Sequence, residues 1–431
     1  MPLQHSVKEV ALQNGAKGLF ILVPGSTSVS YEIQFRAGNH YAKHTKISQV
    51  AHIMEHMAFG ANRDFDSVES FSHVFTRNGA YSNAQTGTIE LTYMASCPLM
   101  EWERIIDLET LSITKPKYTQ EFLEAEKGNV REEIVGYLDD DGRVLTQQML
   151  RSVGLKRWFD AEELQTIAAV TMDDVYEHYE RTHTTRNMRF VFAGDLEAHM
   201  PALIEKLEAW ELPAGEQFLL PQETVAPTGL VHVQRENVHN IQFVLTFYVN
   251  RRLTRDEQRT MNVLRHVLTG TLHSRIWGAA RARGISYGVE TWGGNHMSGV
   301  AEFSVGGEVS HENSDALFAL VAEQLLAVAQ DGISDDELAQ AKSFHTGELQ
   351  MDLETVQSLV DWYDDTYYLD DTVDPVSDMP ALINATTARD VRVLAQEFVT
   401  SGLWAFGGLT NISKEALQKH YDAFAKVWTS R

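Results

Sequence analysis

The sequence predicts an α+β protein in which a unit of about 210 residues occurs twice. Three observations lead there. Residues 211–228, ELPAGEQFLLPQETVAPT, hold three prolines, fall at the midpoint of the 431-residue chain and read as a linker. Late in the first half, MRFVFAGDLEAHMPALIEKL (188–207) reads as a strand, a turn at Gly194 and an amphipathic helix. Late in the second half, GLWAFGGLTNISKEALQKHY (402–421) repeats that order, with its turn at Gly407 and Gly408. The third observation lies upstream, where VSYEIQFRAGN (29–39) and IQFVLTFYVN (241–250) both alternate as strands and precede helical patterns. The expected division is therefore a domain over 1–212, a linker over 213–228 and a homologous domain over 229–431.

Two helices stand out between these markers. KISQVAHIMEHMAFGA (46–61) joins strong helix formers to apolar residues at helical spacing, with Thr45 or Ser48 as its expected cap. TQEFLEAEKGNVREEIVGYLDD (119–140) is a second helix, weakened at Gly128 by roughly 1 kcal/mol.

Composition narrows the function classes. The chain carries 36 basic and 60 acidic residues, a net charge of −24. That field repels nucleic acid and anionic membranes, so neither is an expected partner, and it attracts basic peptides; it also simply keeps a protein dissolved. The single cysteine, Cys97, leaves no internal disulfide and no zinc site built on several thiolates. Any metal must be held by carboxylates and some of the 17 histidines. The N-terminal MPLQHSVKEVALQNG lacks a basic start followed by an apolar stretch, and no uncharged run is long enough to span a bilayer, so a cytoplasmic location is expected.

The chemistry concentrates in HIMEHMAFG (52–60). On a helix, His52, Glu55 and His56 share a face, because residues three and four apart are neighbours. Two imidazoles one turn apart can close on one metal ion. A catalytic zinc needs three protein ligands and one open place, so a third ligand must come from elsewhere. The competing reading is a core helix with a hydrogen-bonded histidine pair. Ile53, Met54, Met57, Ala58 and Phe59 would bury three polar residues, which is expensive without partners and is offset by a metal. His40 and His44 also stand four apart, but with no acidic partner at hand. The acidic stretch DWYDDTYYLDD (361–371) reads as a solvated helix face with buried aromatics.

The order H-x-x-E-H is the inverse of the common zincin motif. With it the chain resembles the inverzincins, the pitrilysin or insulinase family of zinc metallopeptidases, in the short two-domain form of the mitochondrial processing peptidase subunits. The resemblance extends over most of the chain, from about residue 20 to 425. It implies that His52, His56 and Glu133, in EAEKGNVREEI, bind one Zn2+ per chain. It implies that Glu55 is the general base and that Glu126, seven residues before Glu133, supports a ligand histidine. NGAYSNAQTGTIELTYMA (78–95) looks like the family's substrate-pairing strand, which places Ser82, Asn83, Ala84 and Gln85 against the peptide backbone. SRIWGAARARGISYGVETW (274–292) looks like the segment whose arginine and tyrosine hold the substrate and its oxyanion. Tyr287 matches; Arg281 stands one residue out of the usual spacing, with Arg275 and Arg283 as rivals.

The fold implied is two homologous α+β domains, each a mostly antiparallel sheet flanked by helices. The function implied is an endopeptidase acting on peptides or unfolded segments inside a chamber of four such domains, and the acidic balance points to basic peptides among them. Two domains per chain then imply a dimer, with itself or with a related chain. The alternatives are a zinc-bearing subunit that needs a partner chain for activity and a non-catalytic peptide-binding subunit.

Overall fold

In the computed structural model, which describes residues 3–60 and 62–429, the alternating segments gather into two sheets. The first contains β1 (Ser6–Ala11), β2 (Lys17–Leu22), β3 (Ser28–Phe35), β4 (Tyr81–Thr86), β5 (Leu91–Pro98) and β6 (Met188–Gly194), in the order β1-β2-β6-β3-β5-β4. The second contains β7 (Leu230–Gln234), β8 (Asn240–Val249), β9 (Val289–Asn295), β10 (Ala301–Ser310) and β11 (Trp404–Thr410), in the order β7-β11-β8-β10-β9. Each sheet has a single parallel pair, β2 with β6 and β7 with β11; the other pairs are antiparallel. The shared order, with a late strand inserted beside an early one, is the duplication expected from sequence.

The chain divides into two compact units that differ from the two sequence halves. The first runs through Tyr137 and adds 160–220 and 348–376; the second takes 138–159, 221–347 and the residues from 377 on. The main division falls between Leu220 and Pro221, inside the proline-rich stretch, which has no regular secondary structure. Each unit also takes a helix from the other half of the sequence. In the first unit the helix Val356–Asp370 packs on β3 and β6. In the second the helix Asp141–Ser152 packs on β11 and β7.

The two sheet faces of the first unit differ in chemistry. Tyr31, Ile33 and Phe35 of β3 point into an apolar core shared with Phe190 and Phe192. Alternation turns Glu32, Gln34 and Arg36 to the other face. There Gln34 donates to Asp364, and Arg36 donates to the carbonyls of Tyr368 and Leu369 at 3.1 Å each. Arg189 donates to Asp371, which takes a left-handed turn at φ 50° just past that helix. The stretch 361–371 is therefore not only a solvated acidic face: Asp364 is buried against the sheet, beside the buried Tyr363, Tyr367 and Tyr368.

In the second unit the corresponding face is apolar where the helix packs, with the Thr246 and Ser304 hydroxyls bonded to each other at 2.8 Å beside it. Ala405 and Leu409 of β11 meet Leu145 and Met149. Gly407 and Gly408 do not form the expected turn; they lie inside β11. A Cβ on Gly407 would overlap Met149, and one on Gly408 would come within 2.7 Å of Leu417. These glycines are there for close approach of helices to the strand, which sequence does not distinguish from a turn. Gly194 does end its strand, at φ 151°. Among the described residues no single helix is long and apolar enough to cross a membrane.

Candidate metal centre

Two helices of the first unit build the site. The first, Val50–Ala58, is shorter than the expected 46–61, because Thr45–Ile47 forms a separate 3-10 turn. Gln49 occupies its N-cap without a side-chain capping bond. Neither expected cap serves: Thr45 is in the turn, and the Ser48 hydroxyl bonds Thr166 Oγ1 at 3.0 Å. Ile53, Met54, Met57 and Ala58 are buried in the core and fix the rotation of the helix. That leaves His52, Glu55 and His56 on the face toward the second helix, Gln120–Tyr137, which runs unbroken through Gly128. Leu123, Val130 and Ile134 bury one side of this helix, and Glu126 and Glu133 share another, two turns apart.

His52, Glu55 and His56 offer ligand atoms all within 4.8 Å of one another. Glu133 joins them across the helix pair: its Oε2 lies 3.4 Å from His52 Nε2 and 3.5 Å from His56 Nε2. Two ligand atoms bound tetrahedrally at about 2.1 Å from one metal stand about 3.4 Å apart. Both imidazoles thus aim the same nitrogen at one carboxylate oxygen, at the separation a shared zinc requires.

The other nitrogens are already engaged. His52 Nδ1 faces Gln49 Oε1 at 3.0 Å, and His56 Nδ1 faces Glu126 Oε2 at 3.1 Å. Asn129 Nδ2 donates to the same Glu126 oxygen at 2.9 Å, and the Tyr137 hydroxyl donates to Glu133 Oε1. With a metal bound, these contacts would hold the Nδ1 protons and turn both Nε2 atoms toward it. The hydrogen bond from His52 holds the Glu133 carboxyl down to about 2, against burial and with help from Tyr137. Burial presses His56 down, but the Glu126 hydrogen bond and the neighbouring carboxylates raise it on balance.

Glu55 is 7 % exposed, and burial pushes its carboxyl up, against the pull of both histidines. Thr86, the last residue of β4, donates its hydroxyl to Glu55 Oε2 at 3.0 Å. β4 closes one end of its sheet and, among the described residues, pairs with β5 alone, Ser82 opposite Ala95 and Gln85 opposite Thr92. Ser82, Asn83, Ala84 and Gln85 thus lie on an edge strand that ends at the Glu55 carboxylate, with Asn83 and Gln85 exposed and Ala84 buried.

Arg281 and Tyr287 belong to the second unit. The Arg281 guanidinium stacks 4.4 Å over the Tyr287 ring, and Tyr287 is 83 % exposed. Both line a pocket of about 760 Å³ with Asn240, Glu308 and Asn313. The rival Arg275 is held by Glu337 in two hydrogen bonds of 2.6 and 2.7 Å. Among the described residues, His40 and His44 belong to no group of three side chains able to share an ion.

Gln49, Thr86, Asn129 and Tyr137 are contributors that the motif does not name. Thr86 lies within NGAYSNAQTGTIELTYMA, directly after Gln85, so sequence could have offered it. Gln49 and Tyr137 stand one turn from a metal-site residue, at His52 minus three and Glu133 plus four.

Two family models match successive stretches of the chain. Residues 22–156, which contain His52, Glu55, His56, Glu126 and Glu133, match the model described as Insulinase (Peptidase family M16). Residues 169–344, which contain Arg281 and Tyr287, match the one described as Peptidase M16 inactive domain. The chain belongs to the insulinase family of peptidases. An uncharacterized zinc protease of Streptomyces coelicolor is 24 % identical over 409 residues, covering 91 % of this chain and 87 % of that protein. The "probable zinc protease PqqL" of Escherichia coli is 26 % identical over 314 residues, covering 68 % of this chain and 33 % of that protein. Among solved structures, a protease from Helicobacter pylori superposes with a TM-score of 0.81 at 16 % identity, over 94 % of this chain and all of that one. A peptidase M16 inactive domain from Pseudomonas fluorescens gives 0.82 at 16 % identity, over 95 % and 99 %. At that identity both show the fold of this insulinase-family chain.

Proposed function

We propose that this chain is a zinc-dependent endopeptidase acting on peptides or unfolded segments. The observation that carries the proposal is the convergence of His52 Nε2 and His56 Nε2 on Glu133 Oε2, with the buried Glu55 carboxylate beside them. His52, His56 and Glu133 would hold one zinc. When bound, zinc supplies a Lewis acid that polarises the scissile carbonyl and acidifies water.

The chain's own residues do the rest. Thr86 pins one Glu55 oxygen, which leaves the other to take the proton of the attacking water. Glu55 then delivers that proton to the leaving amine. Glu126 and Gln49 hold the Nδ1 protons of His56 and His52 and keep both rings oriented. An extended peptide adds to β4 along Ser82, Asn83, Ala84 and Gln85, where backbone pairing tolerates many sequences. In the dimer proposed below, Tyr287 and Arg281 of one chain would stabilise the oxyanion at the zinc site of the other. The exposure of Tyr287 suits a group that meets substrate, and the net charge of −24 favours basic peptides.

The assembly we propose is a dimer, either of two copies or with a related chain. Light scattering and mass-spectrometric peptide cleavage on the zinc-loaded protein test both parts. A species of twice 48.6 kDa that cuts internal bonds, and stops when the zinc is chelated, is the expected result. Zinc-loaded protein that cuts only after a second chain is added would favour the partner-dependent subunit. Zinc-loaded protein that never cuts would favour the non-catalytic peptide-binding subunit.

A further inference from the structure

The two histidines of the site are supported by unlike groups. His56 Nδ1 faces a carboxylate, Glu126, whereas His52 Nδ1 faces a neutral amide, Gln49. Gln49 is 1 % exposed, so water does not compete for its oxygen. It sits at the N-cap of the helix Val50–Ala58, yet its side chain makes no capping bond and is committed to His52 instead. The position is one turn before the ligand, where the side chain reaches Nδ1 without disturbing the helix.

We propose that Gln49 is a positioning residue for the metal: its amide oxygen accepts the His52 Nδ1 proton and turns Nε2 into the site, and its neutrality keeps His52 the weaker donor of the pair. The inference rests on the zinc peptidase reading above. An imidazole whose Nδ1–H bonds a carboxylate becomes more basic toward a metal, and one bonded to an amide does so less. The site already gathers three carboxylates, from Glu55, Glu126 and Glu133, around two imidazoles. A fourth at position 49 would hold the cation more tightly and leave it a poorer Lewis acid. The amide keeps the orientation and omits the charge.

The test compares wild type, Gln49→Met and Gln49→Glu, which are similar in size. Zinc dissociation constants come from competition with a chromophoric chelator, kcat and KM from a peptide assay, and the melting temperature of each metal-free protein controls for folding. Gln49→Met, which cannot accept the proton, is expected to bind zinc roughly 10- to 100-fold more weakly. Gln49→Glu is expected to bind at least as tightly as wild type, with a lower kcat and an unchanged KM. Wild-type affinity in Gln49→Met would overturn the inference. Equal weakening in both variants would also overturn it, because the position would then matter for packing alone. An undiminished kcat in Gln49→Glu would overturn the role given to neutrality. Should Gln49→Met fail to fold, weaker zinc binding by Gln49→Glu overturns the proposal by itself. A wild type that takes up no zinc overturns the peptidase reading as well, whereas an unaffected Gln49→Met leaves that reading standing.

Discussion

Replacing Thr86 with valine removes one hydroxyl and almost nothing else. The side chain keeps its shape, and β4 keeps its pairing, with residue 86 opposite Leu91. What is lost is the 3.0 Å hydrogen bond to Glu55 Oε2. Glu55 is 7 % exposed, so solvent does not replace the donor. A hydrogen bond to a charged group is worth about 1.5–3 kcal/mol. If that bond holds Glu55 in the orientation that takes the proton, its loss appears in the chemical step. At 1.36 kcal/mol per factor of ten, kcat falls roughly 10- to 100-fold. KM and zinc affinity stay where they were, because the hydroxyl that is lost bonds Glu55 and not the groups that would hold the metal. The assay is steady-state cleavage of a fluorogenic peptide alongside zinc content. Thr86→Ser restores the hydroxyl and should recover most of the rate. Full kcat in Thr86→Val, or an equal loss in Thr86→Ser, would refute the reasoning.

Three further outcomes are expected. Tyr137→Phe removes the hydroxyl that donates to Glu133 Oε1 and should weaken zinc binding by roughly tenfold or more, measured by chelator competition; unchanged affinity would count against Glu133 as a ligand. Glu109 is fully buried, bonded by the Tyr31 hydroxyl at 2.9 Å, and burial raises its carboxyl from 4.5 to about 8. A carboxyl raised on folding contributes stability that is full below its unfolded value and is lost as pH climbs toward the folded one. Glu109→Gln should therefore gain roughly 3 kcal/mol on wild type between pH 5 and pH 7 in urea titrations, and parallel pH curves would contradict this. Gly407→Ala pushes a Cβ against Met149 and Leu145 and should cost about 1–3 kcal/mol of unfolding free energy, whereas a higher urea midpoint would show that the helix has room to spare.

What sequence could reveal of the site followed from local geometry. His52, Glu55 and His56 share a helix face by spacing alone, and Glu126 and Glu133 share another. The resemblance supplied the pairing of the two helices, and the structure brings Glu133 Oε2 to both Nε2 atoms. Thr86 and Tyr137 were harder to see, because hydroxyls are common and only the packing of β4 and the second helix decides which of them reach a carboxylate. The fold divides in the same way. Alternation marked β3 and β8, and the duplication showed in the matching orders of strands and helices. The exchange of Asp141–Ser152 and Val356–Asp370 between units did not show, since an amphipathic pattern says that a helix packs but not against which sheet. Gly407 and Gly408 escape sequence for a related reason: a glycine for close approach and a glycine for a turn look alike until the neighbour is known.

The most direct test of the account is mass-spectrometric cleavage of an unstructured basic peptide by the zinc-loaded chain, with Glu55→Gln in parallel and zinc counted in both. One zinc per chain is expected in each protein, with internal cleavage by the wild type and none by Glu55→Gln. Cleavage by Glu55→Gln at the wild-type rate would contradict it, as would a wild type that takes up no zinc.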